Sequence, residues 1–109
     1  MTTSPYAEAY EFATRGYSTS GSQAGMIKLL LSLNNESAAF PLSECVREFD
    51  SERCLLAQQV IAHYFKVKAD EELWCIGVAL AKKFPDIWKQ GCAGDMAKYK
   101  FKKGECQCP

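Results

Sequence analysis

Along this chain apolar residues return every three or four positions, the spacing of amphipathic helices, in five successive stretches. Pro5 suits an opening position after Ser4, and Tyr6, Ala9, Tyr10 and Ala13 form a stripe that Arg15-Gly16 closes. The Ser-, Thr- and Gly-rich run from Gly16 to Gly21 reads as a connector, so this first helix is expected to be loosely attached. A second helix is predicted from Ser22 to Leu33, with Met26, Leu29, Leu30 and Leu33 inward and Asn34-Asn35 as its exit. After Pro41, residues Leu42, Cys45, Val46 and Phe49 fall at i, i+3, i+4 and i+7 and predict a short third helix.

Asp50 is a good N-cap for a fourth helix from Ser51 to Phe65, whose apolar residues fall on two faces. Cys54, Ile61, Ala62 and Phe65 mark one face and Leu56, Val60 and Tyr64 the other, which predicts a central helix covered on more than one side. Asp70 caps a fifth helix with Glu71 and Glu72 in its first turn and Lys82-Lys83 in its last, as the helix dipole favours. Its inward stripe is Leu73, Ile76, Gly77, Leu80 and Phe84, and Gly77 would admit a neighbouring backbone. Pro85 ends it or starts a further turn through Trp88, closed by Gly91. Only Tyr99-Lys100-Phe101-Lys102 alternates in the period of a strand, with no obvious strand partner. The expected fold is all-α: one domain over residues 1–109, a bundle of five or so short helices, with 92–109 as an extended basic arm.

Composition agrees with a folded domain: 48% of the 109 residues are hydrophobic and 24% charged, enough for one core. Thirteen Lys plus Arg balance thirteen Asp plus Glu, so no whole-molecule field draws the chain to nucleic acid or to an anionic membrane. The charge is uneven, however. Residues 82–103 carry Lys82, Lys83, Lys89, Lys98, Lys100, Lys102 and Lys103 against Asp86 and Asp95, whereas residues 36–52 carry Glu36, Glu44, Glu48, Asp50 and Glu52 against Arg47. MTTSPYAEAYEF lacks a basic and an apolar signal region, and no apolar run approaches the ~20 residues of a membrane span, so a cytoplasmic protein is expected.

Cys45, Cys54 and Cys75 lie within helical apolar patterns, where a reduced thiol behaves as a small buried hydrophobe. Cys106-x-Cys108 with Cys92, completed by Cys75 or His63, sketches a zinc site, but a second closely spaced ligand pair is lacking. A redox role would want Cys-x-x-Cys, which is absent. KYKFKK interleaves Tyr99 and Phe101 with Lys98, Lys100, Lys102 and Lys103, so it is able to place cations on phosphates and rings on bases. Net neutrality and the absence of arginine from this segment weigh against that use.

Catalysis has little to build on. The single His63 sits mid-helix, where pairing with Cys54 or Cys75 is less common than a structural role, and phosphate-cradling or nucleophile-elbow motifs are missing. No cofactor is implied. Boundary aromatics, among them Tyr6, Tyr10, Trp74, Trp88, Tyr99 and Phe101, exceed the needs of so small a core and suit a binding surface. The expected function is a non-catalytic regulator or inhibitor that covers a partner protein. Its contacts would come from Trp88, Tyr99 and Phe101, with Lys98, Lys100, Lys102 and Lys103 as steering charges and Glu44 and Glu48 on an acidic face. Nucleic-acid binding by the basic segment and a small zinc domain are the alternatives.

The segment LLLSLNNESAAFPLSECVREFDSE, Leu29 to Glu52, resembles the helix, Asn turn, Phe-Pro and short-helix pattern of small uncharacterised proteins carried on plasmids, integrative elements and prophages of Gram-negative bacteria. It departs from that pattern in lacking a Gly after the Asn pair. The resemblance implies a mobile-element accessory protein, of a kind that blocks a host or competitor protein in defence systems, and it carries no catalytic residues.

Overall fold

A computed structural model describes residues 4–16, 19–34 and 40–92. The strand-like alternation at Tyr99 to Lys102, the lysines from Lys98 to Lys103, Tyr99, Phe101 and the Cys106/Cys108 pair lie outside the described residues. The helices are α1 (Pro5–Ala13), α2 (Gly21–Asn34), α3 (Leu42–Val46), α4 (Ser51–Val67), α5 (Glu71–Lys83) and α6 (85–92), and no strand occurs among the described residues. The fold is all-α. No helix among the described residues is long and apolar enough to cross a membrane.

The two expected caps, Asp50 and Asp70, both form, and Ser4, the residue before the opening Pro5, caps α1 as well. Ser4 Oγ accepts from the Ala7 amide at 3.1 Å, Asp50 Oδ1 from Arg53 at 2.9 Å and Asp70 Oδ1 from Leu73 at 2.9 Å. Each satisfies one of the amides that a helix start leaves without a partner. A fourth start was hidden in Ser20-Gly21-Ser22-Gln23. There Ser20 Oγ accepts from the Gln23 amide while Gln23 Oε1 accepts from the Ser20 amide, a reciprocal capping box that opens α2 earlier than Ser22.

The centre of the molecule is α2, not α4. Met26, Ile27, Leu29, Leu30 and Leu31 are all buried, and α2 packs against α1, α3, α5 and, more lightly, α4. A helix apolar around most of its circumference belongs inside. In α4 only Ala57 and Val60 are buried, while Leu55 is 55% and Phe65 71% exposed. Of its two apolar faces, both expected to be covered, the one of Cys54, Ile61, Ala62 and Phe65 is exposed at Cys54, Ala62 and Phe65, and α1 is the principal neighbour of α4.

Two further expectations are corrected. The first helix is not loosely attached: Tyr6, Ala9, Phe12 and Ala13 are buried, and α1 packs against α2, α4 and α5. Its stripe is wide enough to serve three neighbours, and that outweighs the flexible composition of the connector behind it. Of the three helical cysteines expected to be buried, only Cys45 is, whereas Cys54 and Cys75 are exposed. Cys75 lies beside Ile76 on α5, one position off the stripe of Leu73, Ile76, Gly77 and Leu80 that does face inward as expected.

Close packing on α2 depends on two glycines. A Cβ on Gly25 would collide with the Cys45 carbonyl oxygen, so the backbone of α3 rests directly on α2. At Gly77 the space is taken by the Asn34 side-chain amide, where a neighbouring backbone was expected.

Candidate functional site

Trp88, the only expected anchor aromatic among the described residues, is half-buried on α6 and packs on the core. With Trp74, Val78, Ala81, Gly77 and Asn34 it lines a cleft of about 250 Å³, at whose edge stands Lys82. Trp74, Val78 and Ala81 follow one another at i, i+4 and i+7, so they form a line along α5 beside the buried stripe. Trp74 is 56% and Val78 39% exposed. Both tryptophans of the chain therefore border one apolar cleft.

At the base of this cleft the Asn34 amide lies over Gly77, and its Oδ1 is buried with no hydrogen-bond partner among the described residues. A buried carbonyl oxygen without a donor is costly. An incoming group that brings an N–H or O–H along with apolar surface would satisfy it.

A second apolar cleft, of about 310 Å³, opens where α2, α3 and α4 meet. Leu29, Leu33, Phe40, Leu42, Tyr64 and Phe65 contribute to it, with Leu42 56% and Phe65 71% exposed at its rim. Sequence spacing alone assigned Leu42 and Phe65 to the core. Leu33 and Asn34, adjacent at the end of α2, line one cleft each.

Glu44 and Glu48 belong to a different neighbourhood from Trp88. Glu44 Oε2 accepts from Lys28 Nζ at 2.7 Å in a half-buried ion pair that ties α3 to α2, and Lys28 also lies 5.6 Å from the Phe40 ring. Glu48 is exposed, with its stem lying across Gly21. Glu44 is thus already engaged within the fold, and the acidic face is reduced by that pairing.

Among the described residues His63 does not meet a thiol. Its ring forms a T-shaped pair with Tyr6, with centroids 4.7 Å apart and planes at 81°. The carboxylates of Asp70 and Glu72 stand close by, whereas the Cys54 thiol approaches only the Phe49 carbonyl, at 4.0 Å. Burial, then Asp70, Tyr64 and Glu72, push the Tyr6 phenol up to about 12, so it stays a hydrogen-bond donor. That hydroxyl donates to the Lys68 carbonyl at 2.8 Å.

No protein-family model, curated protein or solved structure matches the chain. The functional reading therefore rests on the residues themselves.

Proposed function

We propose that this chain is a non-catalytic protein-binding regulator or inhibitor, which acts by covering a functional surface of its partner. The observation that supports it is the cleft bordered by Trp74 and Trp88. A large exposed aromatic beside an apolar line of Val78 and Ala81, with Lys82 at the edge, has the composition of an interface hot spot with a polar rim. Tryptophan buries much area with few rotatable bonds, so little freedom is lost when a partner closes over it. The basic aromatic segment Lys98 to Lys103 follows α6 in sequence and has the steering role in this reading. Blocking a host or competitor defence protein on behalf of a mobile element is one form of such a role, and it rests on the resemblance of Leu29 to Glu52 alone.

The test places a photo-crosslinking residue at position 78, or at exposed position 58 of α4 as a control, in the intact chain within its native host. The expected result is one discrete partner crosslinked from 78 and not from 58. With that partner purified, Trp74→Ala weakens binding roughly 30-fold, as removal of a ~2 kcal/mol hot spot does. Equal capture from both positions, or unchanged affinity on Trp74→Ala, overturns the reading. Binding to short oligonucleotides that falls steeply with salt and ignores Trp74→Ala would favour the nucleic-acid alternative instead.

A further inference from the structure

Three helix ends meet at one corner of the molecule: the start of α1 (Ser4, Tyr6), the last turns of α4 (His63) and the start of α5 (Asp70, Glu72). Here His63, Asp70 and Glu72 each bring one donor atom within 4.8 Å of the other two. We propose that this corner is a binding site for a divalent transition ion of the Zn²⁺ class, held by the imidazole of His63 and the carboxylates of Asp70 and Glu72.

The donor set favours this kind of ion. One nitrogen and two carboxylate oxygens suit Zn²⁺ and its neighbours, whereas Ca²⁺ asks for six or more oxygens and Mg²⁺ for a largely aqueous octahedron. Bonds of about 2.1 Å in a tetrahedral or octahedral shell set donors roughly 3 to 3.5 Å apart, so donors that stand within 4.8 Å need to close by no more than about 1.5 to 2 Å. Three protein ligands leave a position open for water or for the Ser4 hydroxyl.

Each ligand is held in place by a neighbour that leaves it able to coordinate. The T-shaped packing with Tyr6 fixes the plane of the His63 ring. Ser4 Oγ donates to Glu72 Oε1 at 2.6 Å, and Asp70 Oδ1 accepts from the Leu73 amide, so each carboxylate keeps its second oxygen. Such outer contacts reduce the reorganisation needed on binding. Tyr6 also fixes the Lys68 carbonyl, and with it the short link that carries the chain from α4 into Asp70. A bound ion would join α4 to α5 directly and reach α1 through Ser4 and Tyr6. This site uses none of the thiols and lies on different residues from the Trp74–Trp88 cleft, so the two proposals stand or fall separately.

The experiment is a titration of the reduced, full chain with Co²⁺ and with Zn²⁺, repeated on His63→Gln, Asp70→Asn, Glu72→Gln and the double variant Cys106→Ser/Cys108→Ser. Asn caps a helix as well as Asp does, and Gln at 72 keeps an acceptor for Ser4, so these variants preserve the fold. Circular dichroism of each metal-free variant checks that it does. One ion per chain is expected, with no thiolate-to-cobalt charge-transfer band. Each of the three ligand variants should lower the affinity at least about tenfold, and the cysteine variant should leave it unchanged. Zn²⁺ should also raise the unfolding temperature of the parent chain and not that of His63→Gln. No saturable binding by the parent chain, affinity indifferent to His63 and Glu72, or a thiolate band abolished by Cys106→Ser/Cys108→Ser would each overturn the proposal.

Discussion

The side-chain amide of Gln23 donates to the Phe12 carbonyl at 2.9 Å, fastening the end of α1 to the start of α2. The same nitrogen donates to the Arg15 carbonyl at 2.7 Å, while Gln23 Oε1 accepts from Ser20. One buried polar residue, 8% exposed, thereby satisfies the frayed end of one helix and the open start of the next. Gln23→Glu keeps the acceptor but loses the donor and sets a carboxylate against two carbonyl oxygens. It should destabilise the chain by about 2 to 4 kcal/mol in urea melts, more than Gln23→Ala at the same position.

Gly25 and Gly77 both look like helix weaknesses, and alanine would raise the intrinsic helix propensity at each by about 1 kcal/mol. Their neighbours decide otherwise. At Gly25 the obstacle is the Cys45 backbone carbonyl, which moves only if α3 moves, so Gly25→Ala should cost about 2 kcal/mol or more. At Gly77 the obstacle is the end of the Asn34 side chain, which can rotate, so Gly77→Ala should fall within about 1 kcal/mol of the parent chain. Chemical denaturation of the two variants side by side checks the order.

Local chemistry made most of the helix starts legible: Asp50 and Asp70 are short acceptors placed directly before an apolar period and both cap as read, while Pro5 marked the opening of α1, which Ser4 proves to cap. Which helix lies at the centre was harder to read. The stripe Met26, Leu29, Leu30, Leu33 marks one face of α2, but Ile27 and Leu31 on another face are the residues that reveal burial all round. The two-sided apolar pattern of α4 pointed the wrong way, because its face of Cys54, Ile61, Ala62 and Phe65 is only partly covered and leaves Cys54, Ala62 and Phe65 exposed. Trp88 stood out in the sequence as a large aromatic beyond Pro85, and it packs half-buried on the core. The cleft it shares with Trp74 and Asn34 was not legible, because it draws on α2, α5 and α6, which only the tertiary arrangement brings together. His63 with Asp70 and Glu72 is hidden in the same way, since seven and nine positions and a helix corner separate the histidine from the two carboxylates along the chain.

Lys68 turns that corner with φ 60° and ψ −152°, a backbone region open almost exclusively to glycine. Its carbonyl is held by the Tyr6 hydroxyl and its amide donates to Tyr64 at 2.7 Å, so hydrogen bonds hold a conformation that the side chain resists. Lys68→Gly should stabilise by about 1 kcal/mol, the relief of strain exceeding the extra freedom of glycine in the unfolded chain. Tyr6→Phe should destabilise by about 1 to 2 kcal/mol, since it removes a buried donor from that carbonyl. Thermal unfolding should show opposite shifts for the two substitutions.

The fold alters the chemistry of Cys45. It is 1% exposed beneath Gly25, and burial, then Glu44, push its thiol up from 9.0 to about 11 against a smaller opposing pull from Lys28. Iodoacetamide at neutral pH should therefore modify the exposed Cys54 and Cys75 well before Cys45. The same shift sets a stability trend. Above pH 9 the unfolded chain releases the thiol proton while the native chain retains it, so the native state binds more protons and stability falls as pH rises. The loss runs from about pH 9 to about pH 11 and levels off above that, with a slope of at most about 1.4 kcal/mol per pH unit. Tyrosines and lysines titrate nearby, so the measurement is a difference: the stability gap between the parent chain and Cys45→Ala, followed by urea melts across this range. At neutral pH the gap is the lost packing of one sulfur, about 1 kcal/mol or more. It should shrink steadily between pH 9 and pH 11, because alanine has no proton for the unfolded chain to release, and a gap that stays constant would place the Cys45 thiol in contact with water.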